Sequence, residues 1–148
     1  MSSHTIHLTW NRDSKPFGYK EYSRDHDLDF GHGASLRASA ASEYLGTAEL
    51  PDPEQAFVAS LSSCHMLTFL ALASLQNLTL ESYTDEAIGH LEKGESGKPI
   101  LSRVELHPKT TWADGVTVSA EKLEALHHKA HQECFLANSV KTEITTVL

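Results

Sequence analysis

Cysteine is scarce in this sequence: Cys64 and Cys134 are the only two among 148 residues. A disulfide-stapled scaffold needs more, so the fold must rest on a packed core. Composition alone leaves open whether the two are unrelated buried small residues or reactive groups. Positive charge is also short. Lys and Arg number 12 against 20 Asp and Glu, a net charge of −8, which argues against a nucleic acid or an anionic membrane as partner, because both need a basic footprint. The first ten residues, MSSHTIHLTW, hold no apolar run of the signal-peptide kind. The most apolar stretch, Met66 to Leu75, reads as too short and too interrupted to span a bilayer. A soluble, cytoplasmic protein is the expectation. Repeats, low-complexity segments and linkers are lacking too, so residues 1–148 read as a single domain. Hydrophobic residues make up 40% of it, enough for a core, and the 22% charged content excludes wholesale disorder.

What is present reads as α+β. Ile6, Leu8 and Trp10 alternate with polar neighbours, the period of a half-buried strand. Asn11 to Gly18 is a turn or loop, and a second strand is expected over Tyr19 to Ser23. Leu28–Phe30 and Ser35–Ala38 look like further short strands, and Ser39–Pro51 like a loop. Then Asp52 makes an N-cap, Pro53 suits the first helical position and Gln55 completes a capping box. The helix should run to about Gln76. Its apolar residues cover most of the circumference, which predicts burial beyond what one small domain supplies, and so a dimer. Leu78–Glu92 and Ile100–Trp112 read as two long strands joined by the turn Lys93–Pro99. Ser119 caps a second helix ending near Cys134 to Asn138, and a closing strand follows from Val140 to Leu148. This order lacks the βαβ repetition of a doubly wound sheet.

Cys64 lies well inside the first helix, beyond the reach of its N-terminal dipole. A thiol buried among apolar groups is inert unless a cation keeps it ionised. His65 is adjacent but projects about 100° away around the helix. Arg24, Arg37, Arg12 and Arg103 are the candidate cations. Glu54 stands ten residues before Cys64 on the same helix, roughly 15 Å along the axis. If it serves a Cys64 site, that site belongs to another subunit; otherwise it complements its own helix N-terminus. His127, His131 and Cys134 fall on one helical face and could offer three zinc ligands. Neither CxxC nor HExxH accompanies them. His65 is read as a core or interface histidine rather than a general base.

The run Pro51-Asp-Pro-Glu-Gln-Ala-Phe-Val-Ala-Ser-Leu-Ser-Ser-Cys-His-Met66 resembles the signature of the OsmC/Ohr family (osmotically inducible protein C and organic hydroperoxide resistance protein). Ala130-His-Gln-Glu-Cys134, followed by Asn138-Ser139, resembles the family's second cysteine motif. The resemblance implies an intertwined homodimer, with curved antiparallel sheets packed on central helices and active sites at the subunit interface. It also implies roles. Cys64 would attack the peroxide, Cys134 would resolve the product as a disulfide, and Glu54 would hold an Arg that polarises the thiolate. Arg24, in Tyr22-Ser23-Arg24-Asp25-His26, is similar to the family's N-terminal Arg-Asp element and is favoured over Arg37. Phe135 stands where many Ohr members carry Pro, which points to an OsmC-like branch and leaves the preferred substrate open.

The implied activity is reduction of organic hydroperoxides to alcohols through a Cys64 sulfenic acid and a Cys64–Cys134 disulfide, recycled by an external dithiol. No cofactor or metal is required. Two alternatives stand beside it: a non-catalytic ligand-binding or redox-sensing protein on the same scaffold, and a zinc protein using His127, His131 and Cys134.

Overall fold

The chain opens with a three-stranded antiparallel sheet, β1 (His7–Thr9), β2 (His26–Gly31) and β3 (Ala34–Ala38), in that order; β1 is exposed on both faces rather than half-buried as its alternation predicts. The computed structural model describes all 148 residues and divides into two units, Met1–Ala56 and Phe57–Leu148. The β2–β3 turn places Gly31, His32 and Gly33 at φ 87°, 55° and 81°, the left-handed region that glycine enters without steric cost. Ser39 is fully buried after β3; its amide donates to the Pro51 carbonyl at 2.9 Å and its hydroxyl accepts from the Thr47 amide at 3.1 Å.

Tyr19–Ser23 is not the strand expected there but a run of turns and bends. The Glu21 amide donates to the Gly18 carbonyl at 2.9 Å, and the Arg24 guanidinium takes the Tyr22 carbonyl at 2.7 Å together with that of Tyr19. Carbonyls committed to a guanidinium are not free for a strand ladder.

Helix α1 (Pro53–Leu75) begins as its sequence dictates. Asp52 Oδ1 accepts the Gln55 amide at 2.7 Å while Gln55 Oε1 accepts the Asp52 amide at 3.1 Å, a reciprocal capping box. The apolar helix is longer than Met66–Leu75: α1 has 23 residues, and an 18-residue window of it has mean hydropathy 1.7, enough by length and composition alone to cross a bilayer, a test that the core helix of a soluble protein also passes. One stripe of it, Leu61, His65, Phe69 and Ala73, is buried in the protein core. The rest is more open than an all-round apolar helix suggests, with Leu67 59% and Leu75 81% exposed in the protomer.

The two long strands after α1 are each broken once. The pieces are β4 (Leu80–Asp85), β5 (Ile88–Lys93), β6 (Pro99–Leu106) and β7 (Pro108–Trp112). β4 pairs with β7 and β5 with β6, both antiparallel, and Asp85↔Pro108 and Ile88↔Glu105 keep one register across the gap. The break sits at a carboxylate. Asp85 Oδ1 accepts the His107 amide at 2.7 Å and Oδ2 accepts the Ser62 hydroxyl of α1. His107 Nδ1 lies 3.0 Å from the Glu86 carbonyl. Side-chain bonding thus replaces the ladder for one step. Gly89 in β5 lies so close to α1 that an added Cβ would stand 2.4 Å from Val58 Cγ2.

Ser119 Oγ accepts the Lys122 amide at 3.1 Å and opens α2 (Ala120–Glu133), which ends at Cys134. The closing strand β8 (Glu143–Thr146) joins β6 in parallel. The sheets are therefore antiparallel except for this last strand. Two buried clusters result. Phe69 and Ala73 of α1 meet Leu126 and Ala130 of α2, with Leu80, Tyr83 and Trp112 against them; Leu61 of α1 meets Val104 and Leu106 of β6.

Candidate active site

Cys64 and Cys134 come to one place. Cys64 projects half-buried from the middle of α1; Cys134 is fully buried at the C-terminal cap of α2, and both are free thiols. Burial pushes the Cys134 thiol up, and Cys64 adds to this, first as a hydrogen-bonding neighbour and then by charge. The Ala137 amide at 3.4 Å from Cys134 Sγ works in the other direction. The chain leaves α2 there in a tight turn, with the Asn138 amide bonded to the Cys134 carbonyl at 3.1 Å. Cys134 is thus a protonated, sheltered thiol held against a more accessible one.

The four arginines are all engaged. Arg103, the only arginine after Phe57, is paired with Glu105 at 2.6 Å and Glu92 at 3.6 Å on the β5–β6 ladder. Arg37 pairs with Asp27 at 3.0 Å, and Arg12 donates to the Lys15 carbonyl at 2.6 Å. Arg24 lies over the Tyr22 ring, 3.7 Å from its centroid, besides holding the Tyr19 and Tyr22 carbonyls. It lines an open apolar pocket with Leu8, Trp10, Phe17, Tyr22 and His26. Glu54 occupies the first turn of α1.

The three-ligand zinc arrangement does not form. His127 points into the core toward His65, and no three His, Cys, Asp or Glu side chains converge on a point that could hold a metal ion.

A histidine pair is the feature that sequence reasoning missed. His65 Nε2 and His127 Nδ1 are 3.0 Å apart, both residues only 2% exposed. The rings are parallel within 3° with centroids 5.3 Å apart, the separation of an edge-to-edge N–H···N pair rather than a face-to-face stack. His127 also stacks on Phe69, centroids 4.3 Å apart. Desolvation lowers both rings from 6.5 to about 4, with Asp85 opposing and a neighbouring histidine reinforcing. Both are neutral near pH 7, so one nitrogen carries the shared proton and the other accepts it. His127 Nε2 and the Tyr83 hydroxyl are buried without a partner. The reading of His65 as a core histidine holds, since Leu61, His65, Phe69 and Ala73 recur every four residues as one buried stripe; its pairing with His127 is what was missed.

The family model described as OsmC-like protein matches residues 46–148. An OsmC-like protein of unknown function from Vibrio cholerae is 43% identical, with 99% of each chain covered and a TM-score of 0.95. An organic hydroperoxide resistance protein from Legionella pneumophila is 21% identical over 100% of both chains, TM-score 0.66. The organic hydroperoxide resistance protein OhrB of Bacillus subtilis is 21% identical over 96% of both, TM-score 0.65. At that identity the last two show a shared fold. No curated protein matches this chain.

Proposed function

This chain belongs to the OsmC-like protein family, and on that premise we propose that it is a thiol peroxidase that reduces organic hydroperoxides, with Cys64 as nucleophile and Cys134 as resolving cysteine. The observation that carries the reading is the pairing of an accessible thiol with a buried, protonated one at the α1–α2 contact. In the first step the Cys64 thiolate attacks the outer peroxide oxygen. The O–O bond breaks, the departing alkoxide takes a proton and leaves as alcohol, and Cys64 becomes a sulfenic acid. In the second, Cys134 forms the S–S bond, and its proton leaves with the sulfenic hydroxyl as water. An external dithiol then reduces the disulfide by exchange. A protonated Cys134 does not compete for peroxide, which suits a resolving role.

A homodimer completes the site in this reading. Leu67, Leu75 and Phe135, 59%, 81% and 83% exposed in the protomer, favour a partner subunit. Glu54 and Arg24 are assigned to the dimer site, Arg24 ionising Cys64 and stabilising charge on the leaving oxygen. Arg24 spends two of its five N–H donors on the Tyr19 and Tyr22 carbonyls, which leaves donors for the thiolate and the leaving oxygen. No cofactor enters the scheme, and a reducing cytoplasm suits the free thiols.

Turnover of cumene or tert-butyl hydroperoxide with a dithiol tests the assignment. Cys64→Ser should abolish it, and retained activity removes Cys64 as the nucleophile. One observation favours a second reading, a non-catalytic binding or sensing protein: an open apolar pocket lined by Leu8, Trp10, Phe17 and Tyr22. That protein would bind ligand normally yet lose no thiol to one equivalent of hydroperoxide.

A further inference from the structure

We propose that the His65–His127 hydrogen bond is a positioning device, fixing the register of α1 against α2 so that the Cys64 and Cys134 thiols meet. The role in turnover rests on the peroxidase reading; the geometric claim does not.

The placement argues for it. His65 follows Cys64 directly in α1, and His127 precedes Cys134 by seven residues, two turns along the same face of α2. The 3.0 Å bond therefore ties the two helices about 10 Å along α2 from the thiols. The other α1–α2 contacts in this cluster, Phe69 and Ala73 against Leu126 and Ala130, are apolar. Apolar contacts are non-directional and tolerate a small slide or rotation of one helix. A buried N–H···N bond loses most of its strength under the same displacement.

The pair is also a costly choice for a core. It leaves His127 Nε2 buried and unpartnered, where leucine or phenylalanine would leave no unpaired nitrogen. Buried polar groups kept at such a cost are best attested as registry devices. Register matters here because a disulfide forms only within a narrow range of Cα separation and torsion. Cys134 sits at a helix terminus, where frayed ends supply little orientation of their own.

The test separates position from stability. His65→Leu/His127→Leu removes the bond together with both polar partners, so the core retains fold and urea midpoint. Diamide, a two-electron azo oxidant that takes both thiol protons and joins the sulfurs, measures closure without any peroxidase chemistry. The double variant should close the Cys64–Cys134 disulfide about tenfold or more slowly than the wild type, as expected for misplaced reacting atoms. His127→Asn, which returns a polar group at the Nδ1 position, should restore closure. His127→Phe, which keeps a ring against Phe69, is the disrupted variant to use if the double variant does not fold. Closure at the wild-type rate in a folded disrupted variant overturns the proposal, and so does a wild type that diamide cannot close. With tert-butyl hydroperoxide, the disrupted variant should oxidise Cys64 normally but accumulate sulfinic acid. A wild type that closes with diamide yet loses no thiol to hydroperoxide leaves the positioning role standing and removes the peroxidase.

Discussion

Acid should destabilise this protein well above the range in which carboxylates titrate, and the buried histidines set the size of the effect. His65 and His127 titrate near 6.5 in the unfolded chain and are held down to about 4 in the folded one. Between those values the unfolded chain binds protons that the native state does not. Stability therefore falls as pH drops from 6.5, and the loss levels off once the folded rings protonate below about 4. At pH 5 an unfolded ring lies about 1.5 units below its pKa, which at ~1.36 kcal/mol per unit is about 2 kcal/mol. Neither folded ring is charged there, so the two together cost about 4 kcal/mol relative to neutral pH. Both residues are only 2% exposed, so solvent screening does little to reduce this. The depressed carboxyls of Asp25 and Glu92 act in a separate window below pH 4.5. Urea unfolding at pH 7, 6 and 5, at one fixed protein concentration, reads the effect directly. His65→Leu/His127→Leu should flatten the profile. A wild type that loses less than about 1 kcal/mol between pH 7 and pH 5, or a double variant that loses as much as the wild type, refutes the reasoning.

Other consequences follow from the same contacts. Cys134→Ser should permit one turnover of hydroperoxide and then leave Cys64 as sulfinic acid, seen by mass spectrometry of the Cys64 peptide. Phe69→Ala empties a fully buried site between α1 and α2 and should cost about 3–5 kcal/mol in urea unfolding. Asp85→Ala strands the His107 amide and the Ser62 hydroxyl and should cost about 2–3 kcal/mol by the same measurement. Gly89→Ala should also destabilise, because its Cβ would meet Val58 at 2.4 Å, and Val58→Ala in the same chain should relieve part of the loss.

The elements with local chemistry of their own were legible from sequence. The Asp52–Gln55 box, the Ser119 cap and the Lys93–Pro99 turn each depend on residues a few positions apart, and each forms as read. Distant partners decide the rest. Tyr19–Ser23 has strand-like residues, yet Arg24 takes its carbonyls. The long hairpin breaks because Asp85 bonds across to His107 and to α1, which no periodicity reveals. A lone closing strand carries no mark of its direction, so the parallel pairing of β8 with β6 was invisible. At the candidate site the motifs identify both cysteines, but neither His65 nor His127 names its partner across 62 positions of chain.

The broken hairpin bears on how the protein comes apart. β4 and β7 supply Leu80, Tyr83 and Trp112 to one cluster, β6 supplies Val104 and Leu106 to the other, and α1 runs through both. Melting of one cluster while the other persists would leave α1 ordered at one end and loose at the other, with the broken strands on either side of Asp85 pulled apart in register. Amide exchange in β4–β7 and β5–β6 should accordingly proceed through one common opening, with similar protection on either side of Asp85.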